Sequence, residues 1–233
     1  MEKPFSFVII PDTQDVCTKY PERYLHMMHQ IISHSTEWNI KKILHLGDLV
    51  NWGEDLSQWQ NHEPVINLLE NSEIPYLIAI GNHDYGKSTL PQRNSTAFNN
   101  FTNRYVNKSY VVSIYEKNKT ENMCTRLEID GYKFIFLALE FGPSDEVLAW
   151  ANQILTQYED HLALVITHSY LYTTGERTKP GDRHNPKNYR EFTNTNDGED
   201  IWHKCIKKHK NIIAVFSGHH IPENIAYRFD QGE

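Results

Sequence analysis

The chain has few cysteines and no long apolar run. Its 233 residues include only three cysteines, Cys17, Cys124 and Cys205, and no two of them have the CxxC spacing. This pattern argues against a disulfide framework and against a cysteine-based zinc knuckle. No apolar run approaches the roughly 18 residues that are needed to cross a bilayer. We therefore expect a soluble protein without a membrane span.

An excess of positive charge is also missing. The formal net charge is -7 at pH 7, whereas proteins that bind long nucleic acids usually carry basic stripes that neutralise phosphates. The densest basic stretch, 204–210, is small, and as the polar end of a helix it needs no ligand. The composition thus disfavours a nucleic-acid partner.

No Pro/Gly-rich or low-complexity stretch divides the chain, so we predict a single domain over 1–233. Within it, the polar and Asn-rich segment 94–122 is predicted to be an insertion that carries surface loops. Four glycosylation-type triplets begin at Asn94, Asn100, Asn107 and Asn118. They suit an extracytoplasmic protein whose leader is absent from this chain, but they leave the compartment open. The abrupt ending suits a chain trimmed at its C-terminus.

Apolar runs alternate with amphipathic segments, which is typical of an α/β fold. The pattern predicts helices over 21–38, 58–69, 145–158 and 201–209. It predicts strands over 5–10, 43–46, 74–80, 124–129, 133–139, 162–167, 212–217 and 225–229. Asp130-Gly131 is a strong hairpin signal, so antiparallel strands should join the parallel ones there.

Five of these strands end in residues that bind hard or borderline cations. The five segments are Asp12-Thr13-Gln14, Gly47-Asp48-Leu49-Val50-Asn51, Gly81-Asn82-His83-Asp84, Thr167-His168 and Gly218-His219-His220. Strand ends at one edge of an α/β sheet form the crevice where such sheets bind ligands. Carboxylate oxygen and imidazole nitrogen together suit Mn, Fe, Zn or Mg better than a soft metal. The sequence therefore predicts a metal-dependent hydrolase site with two cations.

In this order, the five segments resemble the calcineurin-like metallophosphoesterase superfamily, with its pattern D-x-H, GDxx(N/D), GNH(D/E), a lone His, and GHxH. The resemblance implies a four-layer α-β-β-α sandwich of two mixed sheets. It implies that Asp48 bridges two metal ions. The remaining ligands would be Asn82, His168 and His219 at one position, and Asp12 with Gln14 at the other.

The resemblance also implies roles around the metals. His83 would contact the phosphate and protonate the leaving oxygen, and Asp84 would orient His83. Asn82 would lie against the substrate as well. The loop after His168 offers further donors for an oxyanion in Tyr170, Arg183 and His184.

Two positions depart from the family pattern, and both belong to the same metal position. Gln14 stands where the pattern has histidine, and Ile221 stands where it has the second histidine of GHxH. His220 could serve instead if the chain turns after Gly218, because neighbours in a regular strand face opposite ways. We therefore predict one firm and one weak metal position.

Three functions remain open at this stage. The first is a phosphoesterase that hydrolyses small phosphomono- or phosphodiesters by attack of a metal-bound hydroxide. The second is a metal-binding scaffold of the same fold with weak or no catalysis, motivated by Gln14 and Ile221. The third is a nuclease of the same superfamily, which would need a basic groove. The chain does not indicate an oligomeric state.

Overall fold

The computed structural model describes residues 4–87, 93–190 and 192–232. In this part of the chain, three parallel strands form the first sheet, in the order β1-β2-β3. The elements of this half are β1 (Ser6–Ile10), α1 (Gln14–Lys19), α2 (Pro21–Ser33), β2 (Ile40–His45), α3 (Leu56–Asn71) and β3 (Tyr76–Ile78). Since the strands are parallel, their C-terminal ends lie at one edge, as the sequence predicted.

The second sheet has five strands in the order β4-β5-β6-β7-β8, antiparallel up to β6 and parallel beyond it. Its half of the chain contains α4 (Thr96–Thr102), β4 (Val111–Ile114), β5 (Met123–Ile129), β6 (Tyr132–Leu139), α5 (Asp145–Gln157), β7 (Leu162–Thr167), α6 (Gly198–Lys204) and β8 (Ile212–Phe216). The predicted hairpin at Asp130-Gly131 is confirmed, with positive φ angles of 51° and 80°, as a two-residue turn of the primed type requires.

Alternating residues of the second sheet enter two separate cores. Phe134 and Phe136 of β6 face the first sheet, where they meet Phe7 edge-on at centroid distances of 5.5 and 5.1 Å. Ile135 and Leu137 face the opposite way, into a cluster with residues of α5 and α6. This alternation builds helix, sheet, sheet and helix layers. The predicted four-layer fold with two sheets is confirmed, and the mixed strand directions lie in the second sheet.

One local prediction is wrong. Residues 225–229 form no strand, and Ile225 and Phe229 are 88% and 92% exposed. Alternation predicted a strand there, but the segment has no ladder partner, and Arg228 pairs instead with Glu176 and Asp230. Residues 94–122, predicted as an insertion with surface loops, contain α4 and β4, and Phe98 of α4 packs in the main core.

None of the helices within residues 4–87, 93–190 and 192–232 has the length and apolar character needed to cross a bilayer.

One buried lysine stands out within the contact between the two sheets. Lys42 of β2 is fully buried, and its Nζ has no hydrogen-bond partner among the described residues. The ammonium lies over the rings of Phe136 and Tyr110, at 4.7 and 5.0 Å from their centres. Cation–π contact only partly replaces hydration. Burial consequently lowers the pKa of Lys42 to about 7.

We expect Lys42→Met to stabilise the protein in a pH-dependent way. Between pH 7 and 10.5 the unfolded chain keeps the lysine proton that the folded chain has lost, so wild-type stability rises with pH at up to about 1.4 kcal/mol per unit. The advantage of the variant should be largest at or below pH 7 and should shrink toward pH 10.5. Urea unfolding at several pH values measures it, with Lys41→Met as the control for charge loss. Equal stability of the two variants at pH 7 would contradict the prediction.

Candidate metal centre and active site

Three of the predicted ligands lie together where the two sheets meet. One ligand atom each from Asp48, His168 and His219 lies within 4.8 Å of the others. His168 Nε2 is 3.1 Å from Asp48 Oδ2 and 3.9 Å from Asp12 Oδ1. These residues come from loops after β2, β7, β8 and β1, so strands of both sheets converge on one point.

The tautomers of the two imidazoles follow from their backbone contacts. His168 Nδ1 lies 2.8 Å from the carbonyl oxygen of Leu46, and His219 Nε2 lies 2.9 Å from that of His184. A carbonyl can only accept, so each of these nitrogens carries a hydrogen and donates it. The other nitrogen of each neutral ring is then left with a lone pair. This is the usual arrangement of a histidine that binds a metal.

Several ligand atoms of the site lack a partner within the described residues. His168 Nε2, Asn82 Oδ1 and Gln14 Oε1 are buried without a hydrogen bond. Buried polar atoms are normally satisfied, and an unsatisfied one costs about 1–3 kcal/mol. A cation beside the buried carboxylate would satisfy both oxygens and the imidazole nitrogen. The donor set therefore fits a divalent metal ion.

The charges of the residues at the site also suit a cation. Burial alone would lower the pKa of His168, but the adjacent Asp48 carboxylate outweighs it and raises the pKa to about 9. Burial would raise the pKa of Asp48, yet the His168 contact lowers it. Burial, followed by the positive charge of His168, lowers the pKa of His219 to about 3. Burial also raises the pKa of Asp12.

Three of the proposed ligands have an unusual backbone conformation. Asp12, Asp48 and His219 have φ angles of 39°, 53° and 66°, in the left-handed region that is uncommon for non-glycine residues. Two glycines allow neighbouring loops to approach. A Cβ on Gly81 would lie 2.2 Å from Asp48 Oδ1, and one on Gly218 would lie 2.2 Å from Asp12 Oδ2.

Asp12 and Gln14 lie beside the cluster and can offer only oxygen atoms as metal ligands. Asp12 Oδ1 accepts from the backbone N–H of His219 at 2.9 Å, and Gln14 Nε2 donates to Asp48 Oδ2 at 3.4 Å. The chain does turn at His219, and the ring of His220 lies 4.5 Å from that of His219. His220 is nevertheless outside the group of converging ligand atoms, and its ring packs on Tyr172 at 4.9 Å.

His83 and Asp84 lie in a short 3-10 turn after β3, and their contacts differ. His83 Nδ1 donates to the carbonyl oxygen of Asn51 at 2.9 Å, which leaves Nε2 free. The Asp84 carboxylate accepts from the backbone N–H groups of Leu49, Val50 and Gly81. Burial, and next the charge of Asp48, raise the pKa of Asp84 to about 8. Asp84 thus anchors two ligand loops, and Asn51 orients the His83 ring.

The predicted substrate residues after β7 lie in different places relative to the cluster. Tyr170 is 5% exposed and packs in the outer core, where Arg177 is the main charged neighbour of its hydroxyl. The chain bends after Thr167 instead of continuing the strand, which carries Tyr170 away. Arg183 and His184 are exposed. His184 nevertheless lies beside the cluster, because its carbonyl oxygen accepts from His219 Nε2 and its ring lies edge-to-face with the His219 ring, with 6.3 Å between the centroids.

One residue that the sequence did not single out joins two ligand loops. His45 Nδ1 accepts from the backbone N–H of Gly47 at 3.2 Å, and Nε2 contacts Thr13 Oγ1 at 2.9 Å. Since Nδ1 accepts, Nε2 must be the nitrogen that donates. His45 is 5% exposed, and nothing in its position inside a strand distinguished it from a core histidine.

Comparison with known proteins agrees with this geometry. The chain is 28% identical over 218 residues to an uncharacterized protein, YvnB, of Bacillus subtilis (strain 168), with 93% of this chain covered. It is 25% identical over 177 residues, 74% of this chain, to a probable cyclic nucleotide phosphodiesterase of Moraxella catarrhalis (strain BBH18). It spans only 15% and 55% of the lengths of these two relatives.

Among solved structures, the fold is similar to that of a dimetal phosphatase from Danio rerio, with a TM-score of 0.52, 12% identity, and 94% of this chain and 82% of that chain covered. It is also similar to a purple acid phosphatase from yellow lupin (Lupinus luteus) seeds, with a TM-score of 0.50, 15% identity, and coverages of 78% and 35%. The family model of calcineurin-like phosphoesterases matches residues 5–229. With that match over nearly its whole length, the chain belongs to the calcineurin-like phosphoesterase family.

Proposed function

We propose that this chain is a metal-dependent phosphoesterase that hydrolyses small phosphomonoesters or phosphodiesters. The observation that carries the proposal is the position of His168 Nε2, buried without a hydrogen bond 3.1 Å from the Asp48 carboxylate. Only a proton or a cation between these two groups makes their proximity favourable. The oxygens of Asn82 and Gln14 add further ligands suited to a cation.

The residues would hold two metal ions unequally. Asp48, Asn82, His168 and His219 make up a firm position, whereas Asp12, Gln14 and the shared Asp48 make up a weak one without an imidazole. His220 would join the weak position after a rotation of its side chain. Metal ions in such a site lower the pKa of a bound water and polarise a phosphoryl oxygen.

The side chains around the metals would do the remaining work. His83 presents Nε2, because Nδ1 is used by Asn51, and a proton at Nε2 can pass to the leaving oxygen. The Asp84 carboxylate keeps the loops of Asp48 and His83 in register through three backbone hydrogen bonds. The negative net charge of -7 favours small esters over long nucleic acids.

The test is to strip the protein with a chelator and to titrate back Mn²⁺, Zn²⁺ or Mg²⁺. Calorimetry should show one tight and one weaker equivalent, and His220→Ala should weaken only the second. Release of p-nitrophenol from p-nitrophenyl phosphate and from bis(p-nitrophenyl) phosphate should appear with the metal, and the two rates separate monoesterase from diesterase.

The unequal metal positions and the phosphoesterase activity can be contradicted separately. Two equally tight equivalents, unchanged by His220→Ala, would contradict the unequal positions. Metal binding without release from either ester under any of the ions would contradict the phosphoesterase and would favour a metal-binding scaffold.

A further inference from the structure

An exposed tryptophan stands at the rim of the proposed active site. Trp52 follows directly after the loop of Asp48 and is 56% exposed. Its ring lies edge-to-face with the ring of His83, with 6.5 Å between the centroids. Large aromatic side chains are usually covered, and exposed ones beside a catalytic group are typical of binding sites.

The backbone that carries this ring is held in place. Gln58 is a buried residue of α3, and its Oε1 accepts from the N–H groups of both Asn51 and Trp52, at 2.8 and 3.2 Å. The carbonyl of Asn51 accepts from His83. Gln58 thus fixes the position of Trp52 relative to His83.

Gly53, the next residue, holds the loop in place from the other side. A Cβ on Gly53 would lie 2.5 Å from the carbonyl oxygen of Asp84, so only glycine allows the loop to press against the turn that contains His83. The carbonyl of Gly53 also accepts from Trp59 Nε1 at 2.9 Å. The indole of Trp52 is therefore exposed although its backbone is well anchored, which is a pre-organised arrangement for a ligand.

The surroundings of the ring favour a planar ligand that carries negative charge. Lys87 Nζ lies 5.6 Å from the centre of the Trp52 ring and forms an ion pair with Glu54 at 3.0 Å. The lysine side chain is 81% exposed. The ammonium of Lys87 lies over one face of the indole, so an aromatic group would stack on the opposite face, with the proposed proton donor His83 beside it.

We propose that Trp52 is a specificity-determining residue that stacks on a planar aromatic group of the phosphoester substrate. The substrate class is then phosphoesters that carry an aryl ring or a nucleobase, rather than esters of purely aliphatic alcohols. This inference rests on the proposed function, because it places the phosphate at the cluster of Asp48. Stacking of a base on an aromatic side chain corresponds to about 5- to 100-fold in affinity.

The test measures equilibrium binding, so it does not depend on turnover. The metal-loaded protein is titrated by calorimetry with methyl phosphate, phenyl phosphate and adenosine 5′-monophosphate, each with a methylene group in place of the ester oxygen so that the protein cannot hydrolyse it. Trp52→Ala should weaken the ring-bearing ligands by about 5- to 100-fold and leave methyl phosphate unchanged, whereas Trp52→Phe should keep most of the affinity. The matched control is Trp38→Ala, since Trp38 is 46% exposed and stacks on His34.

The pattern of affinity losses identifies the kind of ring in the substrate. A loss confined to the adenosine ligand assigns a nucleobase, and a loss shared with phenyl phosphate assigns aryl groups in general. An equal loss for methyl phosphate, or no loss for either ring-bearing ligand, would overturn the role of Trp52 while the phosphoesterase proposal stands. Wild-type protein that binds none of the three would count against both.

Discussion

Asp48→Asn should lower the hydrolysis of bis(p-nitrophenyl) phosphate by about 10³-fold or more. A metal that stabilises transition-state charge supplies several kcal/mol, and each 1.36 kcal/mol is a factor of ten in rate. Asp48 is proposed as the shared ligand of both metal positions, so a neutral carboxamide there should weaken both. The measurements are kcat/KM and the bound metal per chain.

The variant should remain folded, which makes the loss informative. Asparagine tolerates the positive φ of 53° at this position better than most residues do. Its Oδ1 can still accept from the N–H of His83, as Asp48 Oδ1 does at 2.9 Å. Its new Nδ2–H can donate to the lone pair of His168 Nε2. Asp15→Asn is the control, because it removes one exposed carboxylate from α1 next to Gln14. Full activity with normal metal content in Asp48→Asn would refute the site.

The strand ends could be predicted because their signals are local. Apolar runs stopped by Gly47-Asp48 or Gly81-Asn82 give both the strand and the residue at its end. Parallel pairing then places those ends at one edge, and three of the predicted ligands, Asp48, His168 and His219, lie together there. The order of the motifs along the chain also predicted the fold.

Contacts made by backbone groups could not be predicted in this way. The carbonyls of Leu46, Asn51 and His184 fix three imidazoles, yet every residue has a carbonyl, so no residue type marks them. The exposure of Trp52 and the burial of Tyr170 were missed because both lie in loops, where no periodicity indicates which way a side chain points.

The false strand at 225–229 has a related cause. Alternation describes a segment that fits a sheet, but pairing needs a free neighbouring edge in register. Likewise α1, Gln14–Lys19, is only six residues long, which is too short for a helical period to be recognised. For the strand, the sequence does not show the position of a partner far away along the chain.

His83→Ala should retain the metal and lose about 10² to 10⁴-fold in turnover, the usual contribution of a positioned acid or base. The loss should be largest for alkyl esters, whose leaving oxygen needs a proton, and smaller for p-nitrophenyl esters, whose leaving group departs as an anion. Initial rates on both kinds of ester, together with metal content, provide the test. His29→Ala on α2 is the control, since His29 is exposed and is remote from the motif.

His83→Asn separates proton transfer from loop support. The amide Nδ2–H of asparagine can replace Nδ1–H as the donor to the Asn51 carbonyl, but an amide cannot take up or release a proton at neutral pH. If His83 acts through its free Nε2, the asparagine variant should be as slow as the alanine variant on alkyl esters. If its work is only to hold the Asn51 loop, asparagine should restore the rate. Because both variants keep the backbone N–H that bonds Asp48 Oδ1, the metal ligand itself is left undisturbed, and a difference between them reports on the imidazole alone.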